Sequence, residues 1–99
     1  MKVGIVEEGI EVVGKEGICE VWNMDGEWKC VYVSWLEVYR SGVGNGKRFW
    51  GKVEKLLKEI GVESIGLECK EGVIGFWEKM GFEKEGYRSS CGIGMGKEI

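Results

Sequence analysis

The chain has 99 residues, enough for one hydrophobic core but not for two. Its net charge is −3 with lysines interleaved among glutamates, so it lacks the basic stripe that neutralises nucleic-acid phosphates, and nucleic acid is not expected as a partner. It contains no histidine, which excludes Ser-His and Cys-His catalysis, and its cysteines (Cys19, Cys30, Cys69, Cys91) form no Cys-x-x-Cys pair, which argues against zinc.

Apolar residues make up 43% of the chain but never run long enough to span a bilayer, and Met1 to Glu8 does not read as a signal peptide. A cytoplasmic protein without a membrane partner is expected. Ala, His, Pro, Gln and Thr are all missing, and every codon for these residues contains cytosine, so the absences reflect a bias in the gene.

In chain order, Lys2 to Glu7 and Ile10 to Trp22 are rich in Val and Ile and lack helical periodicity, which predicts two antiparallel strands broken at Glu8-Gly9. Asn23-Met24-Asp25-Gly26 is a turn signal ahead of a further apolar run, Glu27 to Val38. If Asn23 and Gly26 face each other, Cys19 falls opposite Cys30. Two buried thiols and a bridge are both compatible with that register.

Beyond Arg40 the apolar residues Phe49, Trp50, Val53, Leu56, Leu57 and Ile60 form one helical stripe, which Gly61 ends. Glu63 to Lys70 reads as a short strand with Ile65, Leu67 and Cys69 on one face, and strand, helix, strand implies parallel pairing. A second helix over Gly72 to Met80 is expected to bury Val73, Ile74, Phe76, Trp77 and Met80 and to stop at Gly81. Phe82 to Tyr87 and Ser90 to Gly96 read as a closing hairpin. The predicted fold is a single α+β domain over 1–99 with a mixed sheet, in the order antiparallel meander, β-α-β crossover, second helix and C-terminal hairpin.

Between Tyr39 and Phe49 an apolar strand enters a triple-glycine turn and leaves as a helix. The first amides of a helix have no intrahelical acceptor and lie at its positive dipole end, and glycines let a ligand approach closely. Arg40 to Lys47 therefore reads as an anion cradle, with Lys47 and Arg48 strengthening its field. A tight strand-to-helix connection would use the same glycines.

Two motifs resemble the GNAT superfamily of acetyl-CoA-dependent N-acyltransferases. Its loop, Gln/Arg-x-x-Gly-x-Gly/Ala, is matched by Gly44 and Gly46, with Ser41 at the leading position. Its later run, Asn-x-x-Ala-x-x-Phe-Tyr-x-x-x-Gly-Phe, corresponds to Lys70, Val73, Phe76, Trp77, Gly81 and Phe82. The resemblance covers Ile10 to the carboxyl end and omits the two amino-terminal helices that wall the acceptor site in typical members.

The resemblance implies an acetyl-CoA site in which the backbone of Leu36 to Val38 holds the pantetheine arm. Ser41, Gly42, Val43, Gly44, Asn45, Gly46 and Lys47 would wrap the pyrophosphate, with Phe76 and Trp77 near the thioester and Lys70 standing where the family has an Asn that helps place the cofactor. Trp77 stands where the family has a Tyr proton donor, and an indole cannot serve. Glu37 is the candidate base. The implied activity is acetyl transfer to a small-molecule or peptide amine by direct attack. The alternative is a non-catalytic CoA-binding or interaction module, and a third reading completes the acceptor site by homodimerisation.

Overall fold

The structure, a computed structural model, describes residues 1–40 and 44–99. The described strands are β1 (Lys2–Val6), β2 (Gly9–Val13), β3 (Gly17–Asn23), β4 (Cys30–Val38), β5 (Ser64–Cys69), β6 (Glu83–Ser89) and β7 (Gly92–Glu98). Helix α1 (Asn45–Glu59) connects β4 to β5, and a 3-10 turn at Glu71–Val73 leads into α2 (Ile74–Lys79) before β6. The strands form one sheet in the order β1-β2-β3-β4-β5-β7-β6. Pairing is antiparallel throughout except between β4 and β5, where α1 supplies the crossover that a parallel pair requires.

Most of the stripe on α1 folds as its periodicity predicts: Phe49, Trp50, Val53 and Leu57 are buried and Leu56 is partly buried, whereas Ile60 caps the helix end and is exposed, and Gly61 follows with a φ of 97°. The buried residues pack on alternate residues of the sheet, among them Val12, Cys19, Val21, Val31, Ile65, Leu67 and Met95. Trp77 of α2 joins the same core, edge to face with Trp50 at 5.0 Å and with Phe82 at 5.0 Å. Lys97 of β7 ties the pieces together. Its ammonium lies 2.9 Å from Glu54 of α1 and donates to the Met80 carbonyl at the end of α2 (2.7 Å).

Three expectations are corrected. The run Ile10 to Trp22 is two strands, β2 and β3, because the chain reverses at Gly14, whose N–H donates to the Gly17 carbonyl (2.9 Å). The β3–β4 connection is longer than the Asn23–Gly26 turn: Asn23 pairs with Val31, and Cys19 lies opposite Leu36. Side chains hold that longer loop, since Asn23 Oδ1 accepts from the Trp28 N–H and Asp25 accepts from the Glu27 N–H. Cys19 is therefore buried, Cys30 is exposed, and both are free thiols. In the third case, α2 is only one part of the expected helix. Trp77 is buried, Ile74, Phe76 and Met80 are partly covered, and Val73 is exposed.

Candidate active site

Strand β4 pairs with β5 only over Cys30–Tyr32. Beyond Tyr32 it keeps β3 on one side and loses β5 on the other, because β5 continues along β7 as far as Cys69. The two strands diverge and a cleft of about 830 Å³ opens between them. Its walls are mainly apolar, including Val33, Leu36, Leu67, Phe76 and Trp77.

Helix α1 starts at the edge of this cleft. Gly44 is its N-cap with a φ of 80°, a left-handed conformation that costs little only for glycine. Gly46 answers a different need, since a Cβ there would lie 3.0 Å from Cε1 of Phe76. Among the described residues no side chain caps the helix and its first turn carries no acid, so its first amides present their dipole to the cleft unopposed. Asn45 fastens the helix to the strand before it: its amide donates to the Tyr39 carbonyl (3.0 Å), and its Oδ1 accepts from Arg48.

Of the residues expected at the site, Leu36, Val38, Gly44, Gly46, Lys47, Lys70, Phe76 and Trp77 all line the cleft. Asn45 braces it from outside. Ser41, Gly42 and Val43 lie outside the described residues. Glu37 stands exposed on β4, paired with Ile18 of β3, and is not among the lining residues. Lys79 adds a third cation to Lys47 and Lys70.

Sequence reasoning missed Glu68, which lines the cleft from β5. Its Oε1 accepts a hydrogen bond from the Tyr32 hydroxyl (2.8 Å). Burial, and then the Glu68 carboxylate, push the Tyr32 phenol up to about 12. Tyr87 is pushed up as well, by burial and the charges of Glu68 and Glu85. Burial raises the Cys69 thiol, leaving it a poor nucleophile. A signal for Glu68 was present: if Ile65, Leu67 and Cys69 share one face of a strand, Glu68 faces the other way.

No protein-family model matches the sequence, and neither does any curated protein. Solved structures do match in shape. Gcn5 from Tetrahymena superposes with a TM-score of 0.73 at 18% identity, over 92% of this chain and 67% of that one. An aminoglycoside 6'-N-acetyltransferase complexed with coenzyme A gives 0.75 at 18% identity, over 91% and 71%. The fold is that of the GNAT acetyltransferases.

Against these two structures the chain covers about two thirds of a longer protein. The anti-CRISPR protein AcrVA5 shares the GNAT fold at nearly the same size, with a TM-score of 0.72 and 19% identity, over 92% of this chain and 99% of that one. Across the described residues no helix is long and apolar enough to cross a membrane.

Proposed function

We propose that the cleft binds acetyl-CoA and that the chain transfers the acetyl group to an amine. The observation that carries this reading is the divergence of β4 from β5 beside the N-terminus of α1, which no side chain of the described residues caps. An extended pantetheine arm fits the strand edge that β5 vacates along Leu36 to Val38. The pyrophosphate suits the amides that begin α1, with Ser41, Gly42 and Val43 completing the cradle and Lys47, Lys70 and Lys79 supplying countercharge. Phe76 and Trp77 wall the thioester end. Direct attack by the amine requires chiefly that the two substrates be held together and that backbone N–H groups polarise the carbonyl.

The acceptor is a small-molecule or peptide amine, and we place the protein in the cytoplasm. We also propose a homodimer. Strand β1 is a sheet edge whose Ile5 is 93% exposed, and Trp22 and Trp35 are uncovered on the meander, so a second copy would bury apolar surface. Sedimentation at the monomer mass would remove the dimer alone.

Calorimetric titration with CoA, followed by an assay of thiol release from acetyl-CoA, tests the main reading. Saturable binding is expected, weakened about 5-fold by Lys47→Ala or Lys70→Ala, each of which removes about 1 kcal/mol of exposed phosphate pairing. Absence of binding by the intact chain would refute it.

A further inference from the structure

The cleft lies where β4 and β5 part, and residues of both sheet faces line it. Leu67, Phe76 and Trp77 line it from the helix side, whereas Ser34 and Glu68 belong to the opposite face, where the exposed Trp22 and Tyr87 also lie. Among the described lining residues Glu68 is the one carboxylate, and the other charged groups there are the ammoniums of Lys47, Lys70 and Lys79. Other acids of this face are placed differently. Glu20 is occupied by the Trp22 indole (2.7 Å) and approached by the Ser34 hydroxyl (3.3 Å), and Glu37 lies outside the lining.

Glu68 is also held in position. Tyr32, which anchors its Oε1, is the last residue of β4 paired with β5, so the anchor stands at the fork where the strands part. The phenol keeps its proton to about pH 12 and donates across the physiological range. Glu68 Oε2 makes no hydrogen bond with the described residues. Tyr87 packs against Gly94 of β7, the residue paired with Glu68, so closely that a Cβ at Gly94 would collide with Cζ of the ring. The carboxylate is thus anchored by Tyr32, with the exposed Tyr87 packed on the neighbouring strand beside its paired residue.

Resting on the acyl-transfer reading above, we propose that Glu68 is the catalytic proton acceptor for an ammonium reaching the thioester from the face opposite the helices, and that Tyr32 is its positioning residue. The acceptor arrives as a primary ammonium and passes one proton to Glu68 Oε2. The neutral amine attacks the thioester carbonyl, the C–N bond forms, and the C–S bond breaks with its electron pair moving to sulfur. The second nitrogen proton goes to that thiolate, and Glu68 releases its own proton to water. The products are an amide, a free CoA thiol and one proton.

The test uses the intact chain with acetyl-CoA and three probe amines: a lysine-containing peptide, spermidine and kanamycin. Glu68→Gln keeps the volume and an oxygen that accepts from Tyr32. CoA affinity is expected to stay within about 2-fold, while thiol release at pH 7 falls about 100-fold and the acid limb of the pH–rate profile disappears. Added formate is expected to restore part of the rate to Glu68→Ala. Thiol release by Glu68→Gln within about 3-fold of the parent, with CoA binding intact, overturns the assignment. A parent that binds no CoA overturns the cleft reading itself. A parent that binds CoA and releases no thiol with any of the three amines overturns acyl transfer, and Glu68 with it. Should Glu68→Gln fail to fold by circular dichroism, Tyr32→Phe decides: kcat falls about 10-fold with an unchanged CoA affinity, and an unchanged kcat refutes the positioning role.

Discussion

Replacing Gly44 and Gly46 separately by alanine should give opposite patterns, because the two glycines answer different physical demands. At Gly44 the backbone is left-handed, with a φ of 80°, and the nearest atom to an added Cβ is Arg48 Nη1 at 3.3 Å, the end of a flexible side chain. The cost is therefore almost all backbone, about 1–2 kcal/mol for an L-residue in that region. For a domain of this length it lowers Tm by about 5–10 °C. Gly44→Asn should recover part of the loss, since asparagine tolerates this conformation better.

At Gly46, inside the first turn of α1, alanine gains about 0.5–1 kcal/mol of helix propensity. Against this, the 3.0 Å approach to Phe76 displaces a half-buried ring by a few tenths of an ångström, at about 1 kcal/mol. The two terms nearly cancel, so Tm should move by no more than about 3 °C. The displaced ring lines the cleft, and CoA affinity should fall about 3–10-fold, the equivalent of about 1 kcal/mol. Adding Phe76→Leu relieves the contact and should recover part of that affinity. Thermal denaturation and calorimetry on the same samples read both quantities. Equal destabilisation by the two alanines, or a Gly46→Ala protein with unaltered CoA binding, would refute this division of labour.

Lys97→Met should cost about 2 kcal/mol in urea unfolding, since it leaves the largely buried Glu54 and the Met80 carbonyl without their shared donor, and adding Glu54→Gln should recover part of it. Trp77→Tyr should cost about 1–2 kcal/mol through lost contact with Trp50 and Phe82, without raising thiol release; a tenfold rise in rate would show that the position had retained a proton-donor role. Stability should decline at both pH extremes. The Lys52 ammonium holds the Glu16 carboxyl below its usual 4.5, so that contribution is complete above pH 4.5 and disappears as the pH falls further; Lys52→Met should flatten the acid side of a melting profile. Tyr32 is raised from 10.0 to about 12, so its contribution is complete below pH 10 and disappears as the pH rises towards 12, a loss that Tyr32→Phe should remove.

The parts of the fold legible in the sequence are those written in local periodicity. The stripe of α1, its end at Gly61 and the alternation of Ile65, Leu67 and Cys69 are each set within a dozen residues, and the structure keeps them except for Ile60, which is exposed at the helix end. The reversal at Gly14 has a signal in the sequence, the polar glycine-flanked stretch Gly14-Lys15-Glu16-Gly17, which the Val and Ile on either side of it outweigh in a reading by strand propensity. Asn23 and Asp25 announce a turn, but the β3–β4 register depends on their side chains reaching on to Glu27 and Trp28 and on an irregularity between Glu20 and Val21, and composition fixes neither. The cleft lining was largely readable because most of it flanks the glycine turn or follows β5. Glu37 is the candidate that the resemblance points to, on the strand expected beside the thioester, whereas the place of Glu68 depends on where β4 parts from β5, a pairing between segments more than thirty residues apart.

The brevity of the β4–β5 pairing also bears on how the molecule opens. Three residue pairs join β1–β4 to β5–β7 within the sheet, and the rest of the connection passes through side chains packed beneath α1. Amide hydrogen exchange should therefore find two cooperative units, with the seam between them opening at lower free energy than either unit. A ligand lying along the free edge of β4 would act as a splint across that seam. Protection should then rise on both flanks at once, including amides of β5 and β7 that the ligand never touches.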